Sequence, residues 1–120
     1  MKITLIVFGI VGIAAPANAQ TVAAGKGVFQ SQCSICHSVQ AGRNMVGPSL
    51  ANIVGRPAGQ VAGFRYSPAN KASALTWDAA TLDTYLTNPA AVVPKTTMTY
   101  AGLKDAQKRA DLIAYLGSLH

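Results

Sequence analysis

The 120-residue chain contains only two cysteines, Cys33 and Cys36, and His37 follows the second of them directly. A disulfide across this spacing would close a loop too short to brace a domain. The pattern C-x-x-C-H is instead the attachment sequence of c-type haem. Both sulfurs can reach the vinyl groups on one porphyrin edge, and the adjacent imidazole can turn to the iron. The motif therefore predicts one haem c, bound covalently through Cys33 and Cys36.

A C-x-x-C pair has two other common uses, as a dithiol redox pair and as part of a zinc site. A dithiol redox pair is typical of a βαβ context, which this sequence lacks. A zinc site needs a second pair of ligands, and the only other histidine is the terminal residue, His120. The sequence therefore lacks the additional features that either alternative requires.

The N-terminus has the pattern of a secretory signal. Lys2 precedes an apolar stretch over residues 3–15, and Pro16 is followed by small residues that end at Ala19. A transmembrane anchor is the alternative, but about 13 residues rising ~1.5 Å each do not cross a ~30 Å hydrocarbon core. We expect a signal peptide over residues 1–19, a mature domain over residues 20–120, and a periplasmic protein with no stable membrane insertion.

The charge balance is basic, with ten Lys and Arg against four Asp and Glu. Loss of Lys2 with the signal peptide would leave nine bases against the same four acids. Such a charge favours acidic partners. The bases are scattered and have no interleaved aromatic residues, so a nucleic-acid partner is not expected.

The mature chain reads as helices separated by long loops. We expect a first helix from Ala23 to about Cys36, and a short helix that Ser67 caps and that runs to about Ala74. Thr76 or Asp78 can cap the next helix, which Asn88-Pro89 ends. A last helix starts near Lys104. The apolar residues of this last helix are Leu112, Tyr115, Leu116 and Leu119. Those of the helix before Asn88 are Leu82, Tyr85 and Leu86.

The sequence between these helices is rich in glycine and proline over residues 38–64, and no strand pattern occurs. The fold class is therefore all-α with long loops. A small helical domain rarely leaves so much chain in structureless loops, because the backbone groups of buried loops need partners. A large buried ligand around which the loops wrap resolves this difficulty.

A haem iron ligated by His37 keeps its sixth position open unless the protein fills it. Three residues can do so: Met45, Met98 and His120. Met45 follows His37 too closely to cross the ring easily. Met98 lies in a later loop between two helices, from which it can approach the opposite face. We predict His37 and Met98 as the axial ligands, and no role follows from the sequence for Met45 or His120.

The mature chain resembles class I cytochrome c of the mitochondrial and bacterial c2 type, and the resemblance runs from Gly25 almost to the C-terminus. The segments that carry it are Gly25-Lys26-x-x-Phe29, Cys33-x-x-Cys36-His37, Gly47-Pro48-x-Leu50, Gly55-Arg56, Gly63-Phe64-x-Tyr66, Ala69-Asn70-Lys71, Thr76-Trp77, Tyr85-Leu86-x-Asn88-Pro89, Thr96-x-Met98-x-x-Ala101-Gly102 and Asp111-Leu112-Ile113-Ala114-Tyr115-Leu116. So many matches in the same order point to one family.

The resemblance implies the cytochrome c fold, in which three main helices, short helices and loops wrap around one haem. It implies that Gly25 lets the first helix approach the last, and that Phe29 packs on Leu112. It also assigns haem contacts. Pro48 would accept a hydrogen bond from His37, Tyr85 would donate one to the Met98 sulfur, Thr96 and Asn70 would belong to a polar network beneath the haem, and Arg56, Tyr66 and Trp77 would surround the propionates.

These assignments lead us to expect a soluble, monomeric, periplasmic one-electron carrier rather than an enzyme. Its partners would be redox proteins: a quinol-oxidising complex or dehydrogenase as donor, and an oxidase, peroxidase or photosynthetic centre as acceptor. The alternatives are a dedicated haem c subunit of a periplasmic dehydrogenase and a haem ligand sensor or peroxidase. One departure concerns docking. Lysines ring the haem edge in mitochondrial-type relatives, but the matching positions here are Gln32, Ala90, Ala91 and Thr97, which leaves chiefly Lys104 with Lys95 in addition.

Overall fold

The computed structural model describes residues 6–12 and 21–120. The predicted signal peptide and its cleavage after Ala19 fall mainly outside these residues, so both stay predictions. Five helices follow one another in the described part: α1 (Val22–Gln32), α2 (Pro68–Ala72), α3 (Ala79–Thr87), α4 (Pro89–Val92) and α5 (Ala106–Gly117). Outside the helices, β-pairing in the described residues is limited to one isolated bridge between Pro57 and Thr76. The prediction of an all-α fold with three main helices plus short helices is confirmed, and the short helices are α2 and α4.

The N- and C-terminal helices α1 and α5 form the main helix pair. Gly25 of α1 lies against the backbone of α5, where an added Cβ would come within 2.5 Å of the Asp111 carbonyl carbon and 2.8 Å of Tyr115 Cβ. Phe29 and Tyr115 pack with ring centroids 5.6 Å apart. Leu112, beside them in the core, is only 1% exposed. The expected close approach of the first and last helices at Gly25 is therefore confirmed.

Side-chain caps set where most helices begin. Ser67 accepts from Asn70 N at the start of α2, as predicted, and Asp78 accepts from Thr81 N at the start of α3. Asp105 does the same for Lys108 N at the start of α5. Asp78 rather than Thr76 is therefore the α3 cap, and each cap satisfies a backbone donor that the first turn leaves free.

The ends of α1 and α2 differ from the prediction, whereas the predicted end of α3 before Asn88-Pro89 is confirmed. Helix α1 ends at Gln32 with Cys33 as its C-cap, so the two cysteines follow the helix instead of ending it. Helix α2 ends at Ala72, and Ala74 takes a left-handed φ of 55°. Asn88-Pro89 ends α3 and also begins α4. Pro89 occupies the first turn of α4, where a missing N–H costs nothing.

The loop over residues 38–64 is ordered by hydrogen bonds to distant parts of the fold. Asn52 N donates to Leu119 O at 2.7 Å, and Gly55 N donates to Trp77 O at 2.8 Å. Within the loop, Leu50 N donates to Ser38 O at 2.8 Å. These bonds supply the partners that the backbone of a buried loop needs. Across the described ranges, every helix is too short or too polar to serve as a membrane span.

Candidate haem site

The loops and helices enclose a cavity of about 330 Å³. Its wall is largely apolar and includes much of the hydrophobic core, with contributions from α3, α5 and every loop of the predicted site. All eleven predicted haem-binding and iron-ligating residues line it: Cys33, Cys36, His37, Pro48, Arg56, Tyr66, Asn70, Trp77, Tyr85, Thr96 and Met98. The structure thus brings the predicted residues together, while their roles toward a haem stay predictions.

The attachment motif forms a tight turn immediately after α1. Cys36 N donates to Cys33 O at 3.1 Å, and His37 N donates to the same carbonyl at 3.0 Å. Both cysteines are free and half-buried in the cavity wall. Burial, with a smaller contribution from Cys36, raises the pKa of Cys33 to about 11. The turn therefore presents two sulfurs and one imidazole to the same cavity.

His37 is held by a backbone carbonyl of the loop that follows it. Its Nδ1 lies 2.7 Å from Pro48 O, as the resemblance implied. Burial lowers the pKa of His37, and the bond to Pro48 only partly offsets this effect. The imidazole is therefore neutral at neutral pH, and with Nδ1–H donating to Pro48 its Nε2 lone pair is free for a metal.

Gly47 leaves the space that the His37 ring occupies. A Cβ at this position would come within 2.7 Å of Nδ1 and 2.8 Å of Nε2 of that ring. Gly47 N also donates to Cys36 O at 2.8 Å, which fixes the loop against the motif. The absence of a side chain at Gly47 is therefore part of how the imidazole is positioned.

Met98 lies in the loop between α4 and α5 with polar groups that orient it. Tyr85 Oη donates to Met98 Sδ at 3.7 Å, and Met98 N donates to Thr96 Oγ1 at 3.2 Å. Burial raises the pKa of Tyr85, which keeps its hydroxyl protonated as a donor. Trp77 packs on the Tyr85 ring at a centroid distance of 4.6 Å. The thioether is thus held at the cavity by a hydroxyl that is itself fixed in the core.

The remaining polar residues of the cavity are held from the loops. Arg56 donates from Nη1 to Ala51 O at 2.8 Å and from Nη2 to Ser49 O at 3.0 Å. Tyr66 Oη accepts from Val61 N at 3.0 Å. Burial lowers the pKa of Arg56 from a value so high that the guanidinium remains cationic. A positive charge therefore lies in the wall of an otherwise apolar cavity.

These residues fit a haem. The porphyrin ring needs an apolar cavity, its vinyl groups need thiols, its carboxylates need a cation, and its iron accepts an imidazole and a thioether. In addition, Asn70 Oδ1 is buried without a hydrogen-bond partner, which is unusual for a polar atom unless the site holds a group with polar substituents. Cys33 and Cys36 would hold the ring, His37 and Met98 would hold the iron, and Arg56 would face the carboxylates.

The two other candidate iron ligands lie away from the cavity. Met45 is 41% exposed and His120 is exposed, and neither lines the cavity. Sequence reasoning missed Asn44, which joins two distant parts of the loop over residues 38–64, and Tyr100, whose Oη donates to Gln32 Oε1 at 3.1 Å and ties the Met98 loop to α1. It also assigned no role to Gly47. Gly47 could have been found from the sequence, because it belongs to the Gly47-Pro48 pair. Asn44 and Tyr100 could not, because their hydrogen bonds join residues that only the folded chain brings together.

A helical fold that closes on one cavity bearing two thiols, an imidazole and a thioether defines a monohaem c-type protein. The family model described as Cytochrome c matches residues 22–120, and the chain belongs to the cytochrome c family. As a member of that family it carries a covalently bound haem c and serves as an electron carrier.

Individual relatives agree with this assignment. The chain is 48% identical over 121 residues to cytochrome c2 of Rhodomicrobium vannielii, covering 100% of this chain and 96% of the relative. It is 47% identical over 115 residues to cytochrome c2 of Blastochloris viridis, covering 92% and 90%. The solved structure of cytochrome cH from Methylobacterium extorquens matches it with a TM-score of 0.75 and 42% identity, covering 80% of this chain and 96% of that one.

Proposed function

We propose that the chain is a soluble periplasmic shuttle that accepts one electron from a redox protein and delivers it to another, and that it catalyses no reaction of its own. The observation that carries this proposal is the placement of His37 and Met98 in the wall of one cavity, each held by a hydrogen bond from or to the surrounding protein. When bound, haem c supplies a one-electron Fe(III)/Fe(II) couple. With His37 and Met98 holding the iron, no position on it would be left for a substrate.

The protein groups around the cavity favour a positive reduction potential and small structural change. A thioether is a soft ligand that favours Fe(II), and an apolar wall disfavours the additional charge of Fe(III). Tyr85 and Thr96 hold the Met98 loop, and Pro48 holds His37. Because the surrounding protein holds both side chains in place, we expect few atoms to move on electron transfer.

Replacing Met98 with Ala tests this proposal. We expect loss of the weak thioether-to-iron band at the red end of the spectrum, uptake of carbon monoxide by the reduced protein, and a reduction potential lower by on the order of 0.1 V, within the roughly 0.8 V that axial ligands span. Absorption spectroscopy and redox titration measure these changes. Met45→Ala is the matched control, because Met45 does not line the cavity and should leave all three quantities unchanged.

The wild-type protein itself separates the shuttle from its alternatives. A high-spin resting spectrum with rapid carbon monoxide uptake would identify a ligand sensor or peroxidase and contradict the shuttle. Co-elution with a dehydrogenase in size-exclusion chromatography of material from the native source would identify a dedicated subunit. The shuttle predicts a low-spin spectrum and elution as a free monomer.

We propose further that docking at the cavity mouth depends little on charge. The exposed residues that line the cavity are all uncharged: Gln32, Ile35, Val46, Thr97 and Thr99. Ile35 is 82% exposed and Val46 is 78% exposed, the highest values among the exposed large hydrophobic residues of 21–120. The surface through which an electron would leave the ring is therefore uncharged, with two large apolar side chains among uncharged polar ones.

The rate of electron exchange with the physiological acceptor is expected to fall less than about threefold between 0.05 and 0.3 M salt, because screening acts on charged surfaces. Stopped-flow measurements across this range test the expectation. The variant Gln32→Lys with Thr97→Lys adds two charges at the mouth and should make the rate clearly more sensitive to salt. A tenfold or larger fall for the unaltered protein would contradict uncharged docking.

A further inference from the structure

A series of hydrogen bonds leads away from His37 through two amide groups to the far end of the loop over residues 38–64. Pro48 O and Ser49 N are the two ends of one peptide group. His37 Nδ1 lies 2.7 Å from Pro48 O, Ser49 N donates to Asn44 Oδ1 at 3.0 Å, and Asn44 Nδ2 donates to Ala62 O at 3.1 Å. We call these three bonds the Asn44 relay.

All three bonds of the Asn44 relay point in the same sense. When an amide donates through its N–H, electron density moves to its oxygen, which becomes a stronger acceptor. Donation from Asn44 to Ala62 therefore strengthens Asn44 Oδ1 as an acceptor for Ser49. Donation from Ser49 in turn strengthens Pro48 O as an acceptor for the imidazole N–H of His37.

Ser49, which follows the peptide group at the centre of the relay, is held by further contacts on its side chain and on the next peptide group. Ser49 is 2% exposed, its Oγ donates to Gln40 O at 2.6 Å, and its carbonyl accepts from Arg56 Nη2 at 3.0 Å. The neighbouring Leu50 N donates to Ser38 O at 2.8 Å. Because these contacts hold Ser49 in place, we expect a change at Asn44 to alter the polarisation of Pro48 O more than its position.

We propose that Asn44 is a positioning residue that tunes the iron through His37, although it touches neither the imidazole nor the cavity. A stronger acceptor at Pro48 gives the imidazole more imidazolate character and makes it a better donor to the metal, which stabilises Fe(III). The relay therefore lowers the reduction potential. This inference rests on the proposed ligation of the iron by His37.

Two substitutions at Asn44 are expected to act in opposite directions. Asn44→Leu removes the acceptor for Ser49 N, and we expect the Fe(II)/Fe(III) ratio at a fixed solution potential to rise two- to fourfold, roughly 20 to 35 mV for a one-electron couple at about 59 mV per tenfold. Asn44→Asp keeps and strengthens the acceptor, so the ratio should fall. A purely structural role would shift the ratio in the same direction for both variants.

The control is Arg43→Gln, which changes the net charge at the adjacent, exposed position by the same amount as Asn44→Asp. Redox titration of the haem-loaded proteins, with the NMR shift of the His37 Nδ1 proton, gives the readout. Opposite shifts that exceed the Arg43→Gln effect support the relay. Equal-sign shifts, or an Asn44→Asp effect no larger than that of Arg43→Gln, overturn it. Absence of a paramagnetically shifted His37 ring in the unaltered oxidised protein would instead refute the proposed ligation.

Discussion

Replacing both cysteines, Cys33→Ala with Cys36→Ala, is expected to yield a chain without covalent haem and without stable tertiary structure. The haem cavity of about 330 Å³ takes its wall from the same core that joins the helices. At ~24 cal/mol per Å³, an empty cavity of that size costs up to about 8 kcal/mol. The whole stability of a small domain is only about 5 to 15 kcal/mol. Loss of the prosthetic group can therefore remove from about half to all of the stability.

Mass spectrometry and near-ultraviolet circular dichroism measure the two parts of this result. The double variant should lack the haem mass increment and the fixed signal of Trp77 and the tyrosines. Ile35→Ala is the matched control, because Ile35 lies between the cysteines, is 82% exposed and contributes neither sulfur nor imidazole. It should carry haem and retain the signal. A haem-free double variant that unfolds cooperatively with full stability would show that the core does not depend on haem.

The elements of the fold that local chemistry determines could be predicted from the sequence. Ser67 before Pro68 is a cap followed by a first-turn proline, and the structure places α2 there. The apolar spacing of Leu112, Tyr115 and Leu116 predicted the buried face of α5. The end of α1 was predicted wrongly, because the helical spacing of Cys33 continues a pattern that the tight turn of the attachment motif interrupts.

For the candidate site, too, some features could be predicted from the sequence and others could not. The C-x-x-C-H spacing alone indicated haem c, and the resemblance supplied the residues that line the cavity. Neither predicted the Asn44 relay or the bond from Tyr100 to Gln32, since each joins side chains to groups that only the folded loops bring together. These hydrogen bonds form only when donor and acceptor come within about 3 Å of each other in the folded chain, and no local sequence pattern predicts that approach.

Gly25→Ala is expected to destabilise the protein by about 3 kcal/mol or more, because the new Cβ meets backbone atoms that cannot rotate away. It would lie 2.5 Å from the Asp111 carbonyl carbon and 2.8 Å from Tyr115 Cβ. To accept it, α1 must move away from α5 and loosen the packing of Phe29 against Tyr115. Overpacking of this kind usually costs about 1 to 3 kcal/mol, and more where the obstacle is backbone.

Gly27→Ala is the matched control, on the same helix two residues later, with no atom within 4 Å of the added Cβ. It should stabilise the protein by about 0.5 to 1 kcal/mol, since alanine restricts the unfolded chain and favours a helix. Denaturant unfolding of the haem-loaded proteins, followed by the fluorescence of the only tryptophan, Trp77, gives both values. Equal stabilities for the two variants would mean that the stability of the protein does not depend on the close approach of α1 and α5 at Gly25.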